Sequence, residues 1–119
     1  MPKSQRQQGE LESLILNCLW NAEGPMTSAE ILECVSPDGS LALTTILTVL
    51  SRLADKELVL RATGTGRSLL FTAAQSREQH TAELMLKLVA DAENPALAFS
   101  HFAEGLSPSQ LQALRNSLI

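Results

Sequence analysis

The stretch LVLRATGTGRSLLFTA, residues 58–73, is where this chain patterns as β structure. Two β-rich runs flank a tight loop, GTG at 64–66, and the spacing predicts a hairpin with Arg61 and Arg67 near its tip. A lone two-stranded ribbon is marginal in water, so the segments around it must supply the core. Upstream they pattern as helices. Leu11, Leu14, Ile15, Cys18 and Leu19 form an amphipathic stripe, which EGP at 23–25 ends. MTSAEILECV restarts, with Thr27 or Ser28 as a cap, Glu30 placed to close a capping box from Thr27, and Ile31, Leu32 and Val35 as a short apolar face. SPDGS at 36–40 reads as a turn, and a third helix follows over 42–56. Three short helices and then a basic ribbon is the order of a winged helix-turn-helix, mainly α with a small β-hairpin wing.

That third helix carries TTILTVLSRL, in which three of ten residues are threonine. Threonine is a poor helix former, because its β-branch loses rotamer freedom against the preceding turn. At about 100° per residue, Ala42, Ile46, Val49, Leu50 and Leu53 fall on one side. Thr44, Thr48, Ser51 and Asp55 fall on the other, flanked by Thr45 and Arg52. The hydroxyls therefore make a face. In a helix-turn-helix the second helix lies in the major groove, and short polar side chains let it approach base edges and phosphates closely. Thr44, Thr45, Thr48 and Ser51 are expected to face DNA, with Arg52 reaching a phosphate and Leu47 touching a thymine methyl. Arg61 and Arg67 on the wing are expected to clamp phosphate or reach into a minor groove.

The net charge of −4 looks wrong for such a role until it is resolved along the chain. Residues 1–41 hold two bases and six acids, residues 42–77 five bases and two acids, and residues 78–119 two bases and five acids. A basic segment lies between two acidic ones, and local charge decides where a polyanion docks.

At 119 residues, 45% of them hydrophobic, the chain is one ordinary domain, or a small domain with an oligomerisation element appended. With one Trp, three Phe and no Tyr, its core must be aliphatic. The polar N-terminus is expected to fray. No stretch approaches the length of a membrane span, and nothing resembles a secretory signal, so a cytoplasmic location without membrane insertion is expected. Cys18 and Cys34 are too few and too far apart for a metal knuckle or a disulfide framework, and are expected to be buried small hydrophobes, a thiol sensor being the alternative. His80 and His101 have no ligand-spaced neighbours, so no metal is expected. No nucleophile–base arrangement, P-loop or dinucleotide fingerprint is present; the expectation is a protein without catalytic residues or cofactor.

After Ala74 the pattern changes. SREQHTAELMLKLVADA, residues 76–92, is a longer amphipathic helix with Leu84, Met85, Leu88 and Val89 on its apolar stripe, and NP at 94–95 breaks it. ALAFSHFAEG gives a short helix, and SPSQLQALRNSLI another, opened by a serine cap and carrying Leu111, Leu114 and Leu118. Such short helices cannot bury these faces alone, so pairing with a second copy is expected. Residues 1–75 then form the DNA-binding domain and residues 76–119 a helical dimerisation domain using Leu84, Leu88, Phe99, Phe102, Leu111, Leu114 and Leu118.

LALTTILTVLSRLADKELV, GRSLLFTAAQSREQHTAELM and HFAEGLSPSQLQALRNSL resemble three successive signatures of the penicillinase-repressor family (BlaI/MecI/CopY), and the resemblance runs from Leu11 to Ile119. It implies a homodimeric winged-helix repressor that binds an inverted-repeat (palindromic) operator, often of a β-lactamase or resistance operon. In several members a membrane sensor triggers proteolysis in the dimerisation domain; by local similarity that bond would be His101–Phe102. His101 replaces the usual Asn there, and the segment before LS is shorter than in staphylococcal-type members. Leu43 and Thr44 stand where Lys or Tyr is common, and Glu57 where Gly is usual. Paired C-terminal cysteines of the copper-responsive branch are missing. The expected function is therefore sequence-specific transcriptional repression. Its rivals are a winged-helix module for protein–protein contact and a thiol- or ligand-responsive regulator.

Overall fold

The computed structural model describes residues 2–66 and 68–119, with side chains from Gly9 onward. Its elements run α1 (Pro2–Asn21), α2 (Ser28–Val35), α3 (Leu43–Asp55), β1 (Val59–Thr63), β2 (Leu69–Ala73), α4 (Arg77–Asp91), α5 (Pro95–Gly105) and α6 (Pro108–Ser117). They divide into two compact units, residues 1–80 and 81–119.

In the first unit α1 begins earlier than the apolar stripe indicates: the polar segment expected to fray continues the helix, in keeping with the helix propensity of its Gln, Lys and Arg residues. Leu11, Ile15, Leu16 and Leu19 of α1 pack with Ile31 of α2, with Ile46, Val49, Leu50 and Leu53 of α3, and with Val59 and Phe71 of the ribbon. The core is aliphatic apart from Phe71. Leu14, expected on the buried stripe, is half exposed, and Leu16 takes its place.

The Thr27 capping box forms: the Thr27 hydroxyl accepts from the Glu30 N–H at 3.2 Å, and the Glu30 carboxylate accepts from the Thr27 N–H at 2.8 Å. Beyond α2 the turn is organised by Ser36, a buried polar residue. Its hydroxyl donates to the Asp38 carboxylate (3.0 Å), accepts from the Leu41 N–H (3.1 Å) and bonds the Ser40 hydroxyl (3.1 Å). One small side chain thus links three residues of the turn that delivers α3.

The ribbon is antiparallel, with Val59 opposite Ala73, Arg61 opposite Phe71 and Thr63 opposite Leu69. Gly66 has φ +72°, and a Cβ on Gly64 would meet the Leu70 side chain at 2.9 Å, so both loop positions favour glycine. A second pairing has no signature in the sequence pattern. Met26, between α1 and α2, bridges Phe71 by two hydrogen bonds of 3.0 and 2.8 Å. That bridge ties the wing to the first helical corner.

Two expectations need correction. Cys18 and Cys34 are bonded to each other, with Cα atoms 6.4 Å apart, and Cys34 is exposed; they are not buried small hydrophobes. A separation of sixteen residues says nothing about distance once α1 and α2 pack against each other. Ala42, expected on the apolar side of the third helix, lies outside it as an exposed N-cap.

Trp20 anchors the start of α4. Its indole N–H donates to the Gln75 carbonyl at 2.9 Å, the Arg77 guanidinium lies 5.1 Å from its ring centre, and the His80 ring is tilted against it at 5.4 Å. Arg77 also donates to the side-chain carbonyls of Asn17 and Asn21 on α1.

In the second unit each new helix is started by a side chain. Asn94 accepts from the Leu97 N–H with Pro95 in the first turn of α5, so the NP pair opens α5 as well as ending α4. Ser107 and Gln110 form a capping box at α6.

At the end of α3, the Leu58 N–H donates to the Leu53 carbonyl (2.9 Å) and the Glu57 N–H to the Ala54 carbonyl (3.0 Å), a Schellman closure. The closure requires Glu57 to adopt φ +63°, the left-handed region that favours glycine. Replacing Glu57 with Gly is expected to raise stability by about 1 kcal/mol, read as an upward shift of the urea midpoint with an unchanged slope.

Candidate nucleic-acid interface

The rotation of α3 is fixed by its apolar side. Ile46, Val49, Leu50 and Leu53 are all buried, each contributing about 1.5–3 kcal/mol when fully removed from water. Opposite them Thr44, Thr48 and Ser51 are exposed, with Thr45 and Arg52 on one flank and Leu43 and Leu47 on the other. The structure therefore brings the predicted α3 residues together on one solvent-facing surface. Leu47 is 42% exposed.

The Thr48 hydroxyl donates to the Thr44 carbonyl one turn back, at 2.9 Å. With its proton committed there, Thr48 presents lone pairs and a methyl group outward, the complement of an amino donor and a thymine methyl. Ala42 caps α3 without a side-chain hydrogen bond, so first-turn N–H groups remain at the exposed tip of the surface.

On the wing, Arg61 shares a ribbon face with Val59 and Phe71, both buried. Arg61 itself is exposed. Arg67 lies outside the described residues. Of the other bases in the basic segment, two turn to α1. Lys56 pairs with both carboxylate oxygens of Glu12 at 3.0 Å, and Arg77 is held by Trp20, Asn17 and Asn21. The charge pattern of the sequence thus overstates how many of the segment's bases are left without a partner on α1. Sequence alone could not separate the two groups, because Glu12 and Asn17 are more than forty residues from their partners.

In the second unit Leu88, Phe99, Phe102 and Leu114 line an apolar cavity of about 580 Å³, together with Met85, Val89, Ala98 and Ala103. Leu84, Leu111 and Leu118 do not line it; Leu84 and Leu118 are exposed and Leu111 half-buried. The His101–Phe102 bond lies within α5, with Phe102 in the cavity wall and His101 exposed. Among the described residues no group of three or more His, Cys, Asp or Glu is placed to hold a metal ion, and no helix is long and apolar enough to cross a membrane.

Three packed helices, a turn between α2 and α3, and a two-stranded ribbon define a winged helix-turn-helix. A MarR family transcriptional regulator from Silicibacter pomeroyi DSS has the same fold, with a TM-score of 0.52 at 16% identity over 97% of this chain and 70% of its own. The sequence goes further than fold. The profile of the penicillinase repressor family matches residues 8–119, and the chain belongs to that family of transcriptional regulators. Transcriptional regulator BlaI of Mycobacterium tuberculosis, in strains CDC 1551 / Oshkosh and ATCC 25618 / H37Rv, is 34% identical over 113 residues, covering 92% of this chain and 81% of its own.

The turn that delivers α3 is expected to weaken in acid. The Ser40 N–H, then the Ser40 and Ser36 hydroxyls, hold the Asp38 carboxyl below its ordinary value. A depressed folded-state pKa adds stability that is complete above the unfolded value of about 3.9 and is lost as pH falls through the folded one. Asp38→Ala is expected to lower the melting temperature at neutral pH. Melts repeated well below about pH 4 should show the two proteins converging.

Proposed function

We propose that this chain is a sequence-specific DNA-binding transcriptional repressor that acts as a homodimer on an inverted-repeat operator. The observation that carries the reading is the α3 surface: a hydroxyl face directly opposite four buried aliphatic residues, in a family of transcriptional regulators. Each protomer reads one half-site, with α3 in the major groove. Thr44, Thr45, Leu47, Thr48 and Ser51 meet base edges and the adjoining backbone, while Arg52, Arg61 and Arg67 neutralise phosphates. The family points to a β-lactamase or resistance-type operon as the regulated gene set, and to the cytoplasm as the place of action.

Thr48→Ala is expected to relax base preference. Arg61→Ala or Arg67→Ala should instead weaken binding to every sequence and flatten the log–log salt dependence by about 0.9 for each phosphate no longer neutralised. Fluorescence anisotropy on specific and scrambled duplexes across a salt series separates the effects. An equal loss of affinity on both duplexes for Thr48→Ala would remove α3 as the reading element.

Dimerisation is assigned to residues 76–119, supported by the absence of any buried residue among the described residues of the second unit. Leu88 is 73% exposed and Phe99 54%; a matching face on a second copy would cover both. Bivalent binding then gains from the high effective concentration of the second half-site. Phe102→Asp should yield monomers by analytical ultracentrifugation and lose at least about 100-fold in affinity for a two-half-site duplex, with single half-site binding retained. Relief by a sensor-linked protease at His101–Phe102 would require α5 to open locally, and the cut would divide the apolar wall that pairs the protomers.

A further inference from the structure

The bond between Cys18 and Cys34 lies at a position the DNA-reading role does not use. Cys18 sits on α1 between the core residues Ile15 and Leu19, and is half-buried. Cys34 is exposed in the last turn of α2, two residues before Ser36. Ser36 gathers Asp38, Ser40 and Leu41 into the turn that leads to α3. A bridge at this point ties the end of α2 to α1 immediately upstream of the reading helix.

We propose that Cys18 and Cys34 form a reversible redox site, oxidised by low-molecular-weight disulfides and reduced by thiols, whose closed form holds the helix-turn-helix in its DNA-binding geometry. Three features of the fold support it. Packing cannot account for Cys34, because it is exposed. A metal knuckle is not available either, since no third ligand joins the pair among the described residues. Finally, α1 and α2 already meet through Ile15, Leu19 and Ile31, so the bridge can open without dismantling the core. Bonds of this exposed kind are the ones that exchange readily.

The exchange balances without further reagents. The Cys34 thiolate attacks one sulfur of a small disulfide RSSR, forming a mixed disulfide and expelling RS⁻. The Cys18 thiolate then attacks the Cys34 sulfur and expels the second RS⁻. Two protein thiols are oxidised, one small disulfide is reduced to two thiols, and the protons pass to the departing thiolates.

The DNA half of this inference rests on the repressor reading above, and the test keeps the two apart. The full chain is equilibrated with glutathione disulfide or with glutathione, then alkylated and weighed by mass spectrometry. Each form is melted and titrated with a duplex selected from a random library by the oxidised chain. Expected are a mass difference reporting the bridge and a fall in melting temperature on reduction on the order of 10 °C. Operator affinity should weaken about 5-fold or more. Cys34→Ser, at an exposed position, should fold and bind like the reduced chain and form no internal bridge with either reagent, any glutathione on Cys18 showing as a mass increase of one adduct. A bridge that glutathione cannot open in the native chain would overturn the proposal, as would equal affinity and melting in both states. Failure to select any duplex in either state would count against the DNA reading, while the mass and melting results still decide the redox site.

Discussion

Burial of Ile46, Val49, Leu50 and Leu53 sets everything else about α3. A helix turned by one residue, about 100°, would bring Leu50 towards solvent and press Thr48 into an aliphatic pocket where its hydroxyl has no outside partner. The first change forfeits about 1.5–3 kcal/mol of burial, and the second takes hydroxyl lone pairs out of water with only the intrahelical bond to the Thr44 carbonyl kept. Nothing compensates for either in a core made almost wholly of Leu, Ile and Val. The hydroxyl face is thus exposed because its opposite face cannot be anything but buried. Its Thr content, costly to helix propensity, can be carried by a helix that packing already holds in place.

From that fixed helix the surrounding electrostatics can be followed outwards. α1 takes Lys56 through Glu12 and Arg77 through Trp20, Asn17 and Asn21, pinning the end of α3 and the start of α4 to one scaffold helix. These interactions are half exposed and individually modest in strength. Their effect is one of direction, because they draw two cations away from the surface beside Thr44 and Ser51. Arg52 on α3 and Arg61 on the wing are exposed and take no part in these contacts with α1. The acidic total charge does not conflict with a polyanion partner under this arrangement, since most of the acids lie in the flanking segments.

Local signals make much of this visible in the sequence. The Thr27–Glu30 box, the Pro-Asp-Gly turn, the helix period of 42–56 and the glycine loop at 64–66 are all settled by neighbours a few residues apart, and each is present in the fold. The same holds for the exposed face of α3. Non-local pairings are illegible there: the Cys18–Cys34 bond, the Met26–Phe71 bridge, and the diversion of Lys56 and Arg77 all depend on where separate helices come to rest. Leu14 and Leu16 exchange roles for a related reason. Both fit a helical stripe on α1, and only the positions of α2 and α3 decide which of them meets the core.

The two units differ in a way that bears on how such a chain can work. The first closes a core around Ile15, Ile31, Ile46, Leu50 and Leu53, each essentially inaccessible to solvent. The second has well-capped helices, with residues half-buried at best among those described. Caps contribute about 1 kcal/mol apiece, too little to offset the chain entropy of nearly forty residues. Apolar surface outside the unit would add to the partial burial of Val89, Leu106 and Leu111 in ordering 81–119. On the proposed dimeric reading that surface is the partner's Leu88, Phe99 and Phe102, and folding of this segment becomes inseparable from assembly and from protein concentration. A change that loosens the pairing would then act twice, disordering the helices and separating the two reading surfaces, while each winged-helix unit remained folded.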